Sequence, residues 1–180
     1  AIKQKKDSSL VKGVSLVKEG KADAFVSAGN TGALMASAIF TLGRISGIER
    51  PALASRFPSK VGKVVLIDMG ANVDCKPKQL VQFAKMGAIY SQYVLHVDNP
   101  RIGLVNIGEE PEKGNEQTLG TYALLKEEKT LNFLGMMESK EIFAGHIDVV
   151  VCDGFIGNLI LKFGESTGTF IFEALASELK

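Results

Sequence analysis

Ser27-Ala28-Gly29-Asn30-Thr31-Gly32 stands directly before the apolar stretch Ala33-Leu34-Met35-Ala36-Ser37-Ala38-Ile39-Phe40. These residue types at this spacing suit the binding of an anion. The run before them reads as a buried strand over residues 23–27, and the run after them as the first turns of a helix. A helix N-terminus presents unpaired N–H groups and the positive end of its dipole. Gly29 and Gly32 let the backbone come close to a ligand, and Ser27, Asn30 and Thr31 add side-chain donors on the same rim. The pattern is that of a phosphate cradle, although it carries neither the Gly-Lys-Ser/Thr ending of a P-loop nor a Gly-x-Gly-x-x-Gly fingerprint. A plain strand-to-helix turn would use the same glycines.

The pattern recurs. Val64-Val65-Leu66-Ile67 runs into Asp68-Met69-Gly70-Ala71-Asn72-Val73-Asp74. Arg101-Ile102-Gly103-Leu104-Val105 runs into Asn106-Ile107-Gly108-Glu109-Glu110, with Lys113-Gly114-Asn115-Glu116 just beyond. Ile147-Asp148-Val149-Val150-Val151-Cys152 runs into Asp153-Gly154-Phe155-Ile156-Gly157-Asn158. Near-continuous apolar runs are what strands buried on both faces of a parallel sheet require. Ligands of open parallel sheets bind outside the carboxyl ends of the strands, so four polar clusters at such ends are expected to share one site.

Within these clusters, Asn72 is a candidate donor to an oxyanion or phosphate, with Asp68 orienting it. A carboxylate facing an anion would repel it, so Asp68 is expected to support from behind. Asp153 has the same supporting role or caps a helix, and Asn158 is a further donor. Lys113 is the cation placed to offset phosphate charge, and Asn115 lies beside it. Cys152 ends an apolar run with no histidine near it in sequence, and is read as a small buried hydrophobe. His96 and His146 have no partner at metal-ligand spacing, so neither a metal nor any other cofactor is expected.

The chain has 180 residues, 46% of them hydrophobic, enough for one α/β domain over 1–180 with a proper core. Twenty-one Lys and Arg against 20 Asp and Glu leave no basic field for nucleic acid. No apolar run approaches the ~18 residues that span a bilayer. The opening residues, Ala1-Ile2-Lys3-Gln4-Lys5-Lys6-Asp7, do not resemble a signal peptide. Two cysteines make no disulfide framework, and the expectation is a reduced, cytoplasmic setting.

Elements that would position the clusters follow from periodicity. Ser8 or Ser9 caps a first helix carrying Leu10, Val11, Val14 and Val17, which Gly20-Lys21 ends. The helix after the cradle runs to about Gly43, and Gly47, Pro51 and Pro58 mark an irregular stretch. Pro77 opens a helix with Leu80, Val81, Phe83, Ala84, Ile89 and Tyr93 on one stripe. Further helices are expected near 117–128, at 138–143 and from about Asn158, with another strand at 131–135. Strands alternating with helices give an α/β fold with a mostly parallel sheet flanked by helices in three layers.

Taken in order, Ser-Ala-Gly-Asn-Thr-Gly-Ala-Leu-Met at 27–35, Gly-Arg-Ile at 43–45, Arg-Pro-Ala-Leu-Ala at 50–54 and Asp-Met-Gly-Ala-Asn-Val-Asp at 68–74 form a series. Asn-Ile-Gly-Glu-Glu at 106–110, Lys-Gly-Asn-Glu at 113–116 and Val-Val-Cys-Asp-Gly-Phe-Ile-Gly-Asn at 150–158 continue it. Across essentially its whole length the chain resembles the bacterial phosphate acyltransferases. The resemblance implies conversion of acyl-[acyl carrier protein] and orthophosphate to acyl phosphate and free carrier protein, for phospholipid synthesis. It implies a fold similar to phosphate acetyltransferases and to isocitrate or isopropylmalate dehydrogenases, and a homodimer. It also implies work in the cytoplasm at the inner membrane face, with peripheral membrane contact and a membrane glycerol-3-phosphate acyltransferase as a further partner. Members of that family are longer, carrying an Asp-Ala-Met-Gly-Gly-Asp-like loop before this stretch and a membrane-associated hairpin after it, so the sequence is expected to be a fragment.

On this reading phosphate sits at Ser27, Gly29, Asn30, Thr31 and Gly32 and attacks the thioester directly. Asn72, Asn115 or Asn158 donates to the oxyanion, and Lys113 offsets the phosphate charge. Met35, Ile39, Phe40 and Phe57 could line an acyl groove, and Arg44, Arg50, Arg56 and Lys60 a surface for an acidic carrier protein. The rival readings are a non-catalytic protein that binds a phosphoryl ligand, and a metal- and NAD-dependent decarboxylating dehydrogenase of similar fold.

Overall fold

The computed structural model describes residues 7–179; the opening residues 1–6 and Lys180 lie outside it. The chain forms two compact units, Ala1–Pro51 and Ala52–Lys180.

Two helices make up the first unit, α1 (Ser9–Lys18) and α2 (Thr31–Leu42), and they pack on each other. Ser8 caps α1, its hydroxyl accepting from Val11 N, and Asn30 caps α2, its Oδ1 accepting from Ala33 N at 2.9 Å. Residues 23–27 are not a strand. They join no ladder among the described residues, and Val26 is 92% exposed. A run of strand-forming residues becomes a strand only where a neighbour takes its N–H and C=O groups. Phe25 turns instead onto α1, so close that a Cβ on Gly13 would fall 2.2 Å from its ring.

Five strands form the sheet of the second unit: β1 (Ala54–Ser59), β2 (Gly62–Ile67), β3 (Arg101–Val105), β4 (Asn132–Met137) and β5 (Val149–Val151). Their spatial order is β1-β2-β5-β3-β4, with β1 antiparallel to β2 and the other pairs parallel. The mostly parallel α/β architecture is the expected one. β1 falls in the stretch expected to be irregular; as an edge strand it tolerates Pro58, opposite Lys63.

Helix α3 (Pro77–Leu95) and helix α4 (Glu116–Glu127) cover one face of the sheet. There Leu80, Phe83 and Leu125 bury against Val65, Ile102 and Val149. A 3-10 turn at Ser139–Phe143 and helix α5 (Gly154–Glu178) cover the other, where Ile142, Ile156 and Ile160 meet Leu66, Val150 and Cys152. The sheet therefore lies between two helical layers. Ile89 and Tyr93 of the expected α3 stripe stand 58% and 72% exposed.

Ion pairs secure the end of the sheet away from the polar loops. Arg101 Nε and a terminal guanidinium nitrogen donate to both Asp148 oxygens at 2.8 and 2.9 Å, joining the start of β3 to the residue before β5. Burial works against the Asp148 charge, but the Arg101 hydrogen bonds hold its carboxyl below the ordinary range. Lys85 of α3 pairs with Glu128 after α4 at 2.5 Å, and the Thr130 hydroxyl donates to the same carboxylate at 2.6 Å. Lys85 first, then Thr130, pulls Glu128 down to about 2 from 4.5. A depressed carboxylate stabilises the fold above its unfolded pKa and loses that contribution as pH falls through the folded value. Glu128→Gln should therefore cost about 1 kcal/mol at pH 7. It should cost progressively less between pH 4.5 and 2, which urea unfolding at both ends of that window will read.

Candidate active site

The topology parts the helices on both sides of one strand. β5 sits between β2 and β3, and α5 leaves β5 toward one face of the sheet while α3 and α4, which follow β2 and β3, lie on the other. Adjacent parallel strands whose following helices diverge form a switch point, where α/β sheets bind ligands. A cleft of about 560 Å³ lies there, lined by the ends of β3 and β5 and the starts of α4 and α5.

The loop after β2 is organised by one carboxylate. Asp68 is fully buried, and its Oδ1 accepts from Leu53 N at 3.0 Å and Ala71 N at 3.1 Å. Its Oδ2 accepts from the backbone N and side-chain Nδ2 of Asn72, both at 2.8 Å. Asp68 thus holds Asn72 from behind. The turn between them needs glycine at position 70, where φ is +126°.

This loop and the start of α5 are one structure. Gly154 N donates to Asn72 O at 2.7 Å. A Cβ on Gly154 would lie 2.8 Å from Asn72 O, and one on Gly157 only 1.8 Å from Asp68 O. Asp153 caps α5, its Oδ1 accepting from Ile156 N at 2.8 Å. The helix accordingly begins at Gly154, four residues before the expected Asn158. Asn158 comes over the turn, its Cβ 3.5 Å from where a Cβ on Gly70 would stand.

Cys152, at the tip of β5, is buried, and its thiol donates to Asp68 O at 3.6 Å. Burial pushes that thiol far up, and the Asp153 and Asp68 charges push the same way. It stays protonated at neutral pH and does not serve as a nucleophile.

The loop after β3 completes the rim. Asn115 caps α4, its Oδ1 accepting from Thr118 N at 2.9 Å, and Asn115 and Thr118 both line the cleft. Lys113 points its charge at Glu110, 2.7 Å away, and each holds the other in its charged form. Asn106 is a residue sequence reasoning left among the loop residues. Its Nδ2 lies 3.0 Å from Gly108 O, 2.9 Å from Lys113 O and 2.9 Å from Met136 Sδ, gathering the whole loop. The available signal was positional, since Asn106 follows β3 as Asp68 follows β2. Gln117, also unremarked in the sequence, donates to Cys75 O at 2.7 Å and ties α4 to the loop after β2.

Three of the four polar clusters therefore meet. The fourth belongs to the first unit. There Ser27 Oγ accepts from Gly29 N at 3.1 Å, Asn30 is committed to its cap, and residues 28–32 are exposed. Phe57, expected in an acyl groove, is buried in the core of the second unit instead, because β1 points it at Val64, Leu66 and Val150. Arg44 and Arg50 lie in the first unit, Arg56 and Lys60 in the second. Among the described residues, no three His, Cys, Asp or Glu side chains group so that they could hold a metal ion. No described helix is long and apolar enough to cross a membrane.

Comparison with known proteins adds the following. The model of the family described as "Fatty acid synthesis protein" matches residues 1–180. The phosphate acyltransferase of Halothermothrix orenii is 57% identical over 176 residues, 97% of this chain and 53% of that protein. That of Clostridium perfringens is 54% identical over 180 residues, 100% of this chain and 53% of its own. The chain thus spans about half the length of these relatives. Among solved structures, the EutD phosphotransacetylase from Staphylococcus aureus superposes with a TM-score of 0.66 at 16% identity. It matches over 89% of this chain and 56% of its own, and so shares the fold.

Proposed function

Because the chain belongs to the fatty acid synthesis protein family, we propose that it is the part of a phosphate acyltransferase that carries the reaction crevice. The whole protein would make acyl phosphate from acyl-[acyl carrier protein] and orthophosphate for phospholipid synthesis. The observation that carries this reading is that the polar loops after β3 and β5 line one crevice, while the loop after β2, with Asn72 fixed by Asp68, is bonded to the start of α5 behind it. The names of the relatives supply the type of group transferred.

An oxygen lone pair of HPO₄²⁻ attacks the thioester carbonyl carbon, and the C–O bond forms. The tetrahedral oxyanion collapses with cleavage of the C–S bond, and the departing sulfur takes the proton from phosphate. The products are acyl phosphate and free carrier thiol. Phosphate is already anionic and a thiolate of pKa about 8.5 leaves readily, so neither a nucleophilic side chain nor a strong base is required. What the protein supplies is orientation and a donor for the oxyanion. Asn72, Asn115 or Asn158 takes the donor role, and of these Asn115 lines the crevice. Ser27 and the Gly29–Gly32 backbone take phosphate. Lys113 acts once released from Glu110. Asp68 and Asp153 position Asn72 and α5. A homodimer, in the cytoplasm with peripheral contact at the inner membrane face and supplying a membrane glycerol-3-phosphate acyltransferase, completes the reading.

The test is conversion of palmitoyl-[acyl carrier protein] to free carrier by the full-length protein, with and without orthophosphate. Phosphate-dependent release is expected, reduced at least tenfold by Lys113→Ala or Asn30→Ala. A folded protein that binds phosphate but releases no carrier would move the assignment to a phosphoryl-ligand binding protein.

A further inference from the structure

The β3–β5 cleft is lined mainly by apolar side chains. Its floor is Leu80, Leu104 and the protonated Cys152, and its walls include Val105 and Ile156. Asp153 carries the one formal charge among the described lining residues, and that charge is negative. An anion entering such a cleft would lose its hydration over the apolar floor and meet the Asp153 carboxylate. At the mouth stand two large apolar side chains, Ile107 and Phe155, 80% and 60% exposed. They would gain about 25 cal/mol for each Å² of apolar surface that a ligand covers. Polar groups, Asn106, Asn115 and Thr118, edge the same opening. A neutral alkyl chain ending in a carbonyl matches this order of apolar floor and polar rim.

We propose that this cleft holds the alkyl chain of the acyl substrate, with Ile107 and Phe155 closing over it, so that it sets chain-length preference. The inference rests on the acyl-transfer reading and adds the seat of the acyl group. It also moves that seat away from the α2 residues Met35, Ile39 and Phe40. The reacting carbonyl then lies at the rim, beside Asn106, Asn115 and Thr118.

The test uses the full-length protein and two exposed positions, whose replacement leaves the core untouched. The 180 residues contain no tryptophan, so the difference spectrum of Ile107→Trp against the parent reports on the mouth. Titration with methyl dodecanoate, which is neutral and needs no turnover, should give a saturable shift of that emission to shorter wavelength. No shift overturns the proposal. Emission that is already fully blue-shifted before any ligand also overturns it, because another segment of the protein then fills the cleft. In turnover, Phe155→Ala should lower the ratio of kcat/KM for palmitoyl over butyryl thioester about tenfold. An unchanged ratio in an active enzyme overturns the proposal. A parent that makes no acyl phosphate at all refutes the acyl-transfer reading instead, and the methyl dodecanoate titration still decides whether the cleft takes an alkyl chain.

Discussion

Gly157→Ala is expected to destabilise the second unit by about 2–3 kcal/mol and to cut acyl-phosphate formation about a hundredfold. The added methyl group would stand 1.8 Å from the carbonyl oxygen of Asp68 and 3.0 Å from Cys152 Sγ. The first of these is backbone, so no rotamer change relieves the contact. Helix α5 or the 68–72 loop must move, and the two are joined by the Gly154–Asn72 hydrogen bond. Alanine is the better helix former by about 1 kcal/mol, which offsets only part of the steric cost. Gly168→Ala in the same helix is the control. Nothing lies within 4 Å of its added carbon, and it should stabilise by about 0.5–1 kcal/mol. Urea unfolding and the carrier-release assay read both variants. Equal stability for Gly157→Ala and the parent would mean that α5 does not seat on this loop.

Asp68→Asn should have the second large effect, about 3 kcal/mol of stability together with a fall in turnover of at least tenfold. The carboxylate accepts four hydrogen bonds, two on each oxygen, and is fully buried. An amide of the same shape keeps one acceptor oxygen and turns an NH₂ toward two N–H donors. Those donors are left without acceptors in a place water does not reach. On the proposed role of Asn72 as oxyanion donor, the turnover loss should fall on kcat more than on KM. A KM-only effect would mean that Asn72 binds the ground state and not the oxyanion. Asp68→Glu should fail to rescue, since an extra methylene cannot fit between Leu53 and Asn72.

These two residues show how far the sequence could be read. Val64-Val65-Leu66-Ile67 and Ile102-Gly103-Leu104 were legible as strands because burial on both faces leaves no room for polar alternation. Ser8 and Pro77 marked helix starts because a cap or a first-turn proline is a local requirement, whereas Asn30 and Asn115, read as donors to a ligand, cap α2 and α4. β1 was not legible, since an edge strand buries little and admits Pro58. Residues 23–27 failed for the opposite reason. They have strand composition, and whether a ladder partner exists is not a local property. Gly154 and Gly157 read as loop glycines, yet they lie inside a helix and are required by what presses against them. The candidate site was legible as chemistry but not as geometry. The polar ends of β2, β3 and β5 could be named in advance, whereas the crevice between β3 and β5 follows from strand order, which no single segment encodes.

That strand order has a kinetic side. Of the five described strands β5 comes last in the sequence, yet it occupies the middle of their sheet, where Val149 pairs with both Val65 and Ile102. Until it arrives, the nascent chain holds two half-sheets, β1–β2 and β3–β4, each with an open inner edge able to pair wrongly. Closing them requires a contact between distant parts of the chain, whose ordering cost comes before any reward. The strand that closes the gap is also the one that leads into Cys152 and Asp153. The crevice therefore comes into being in the same event that joins the two half-sheets.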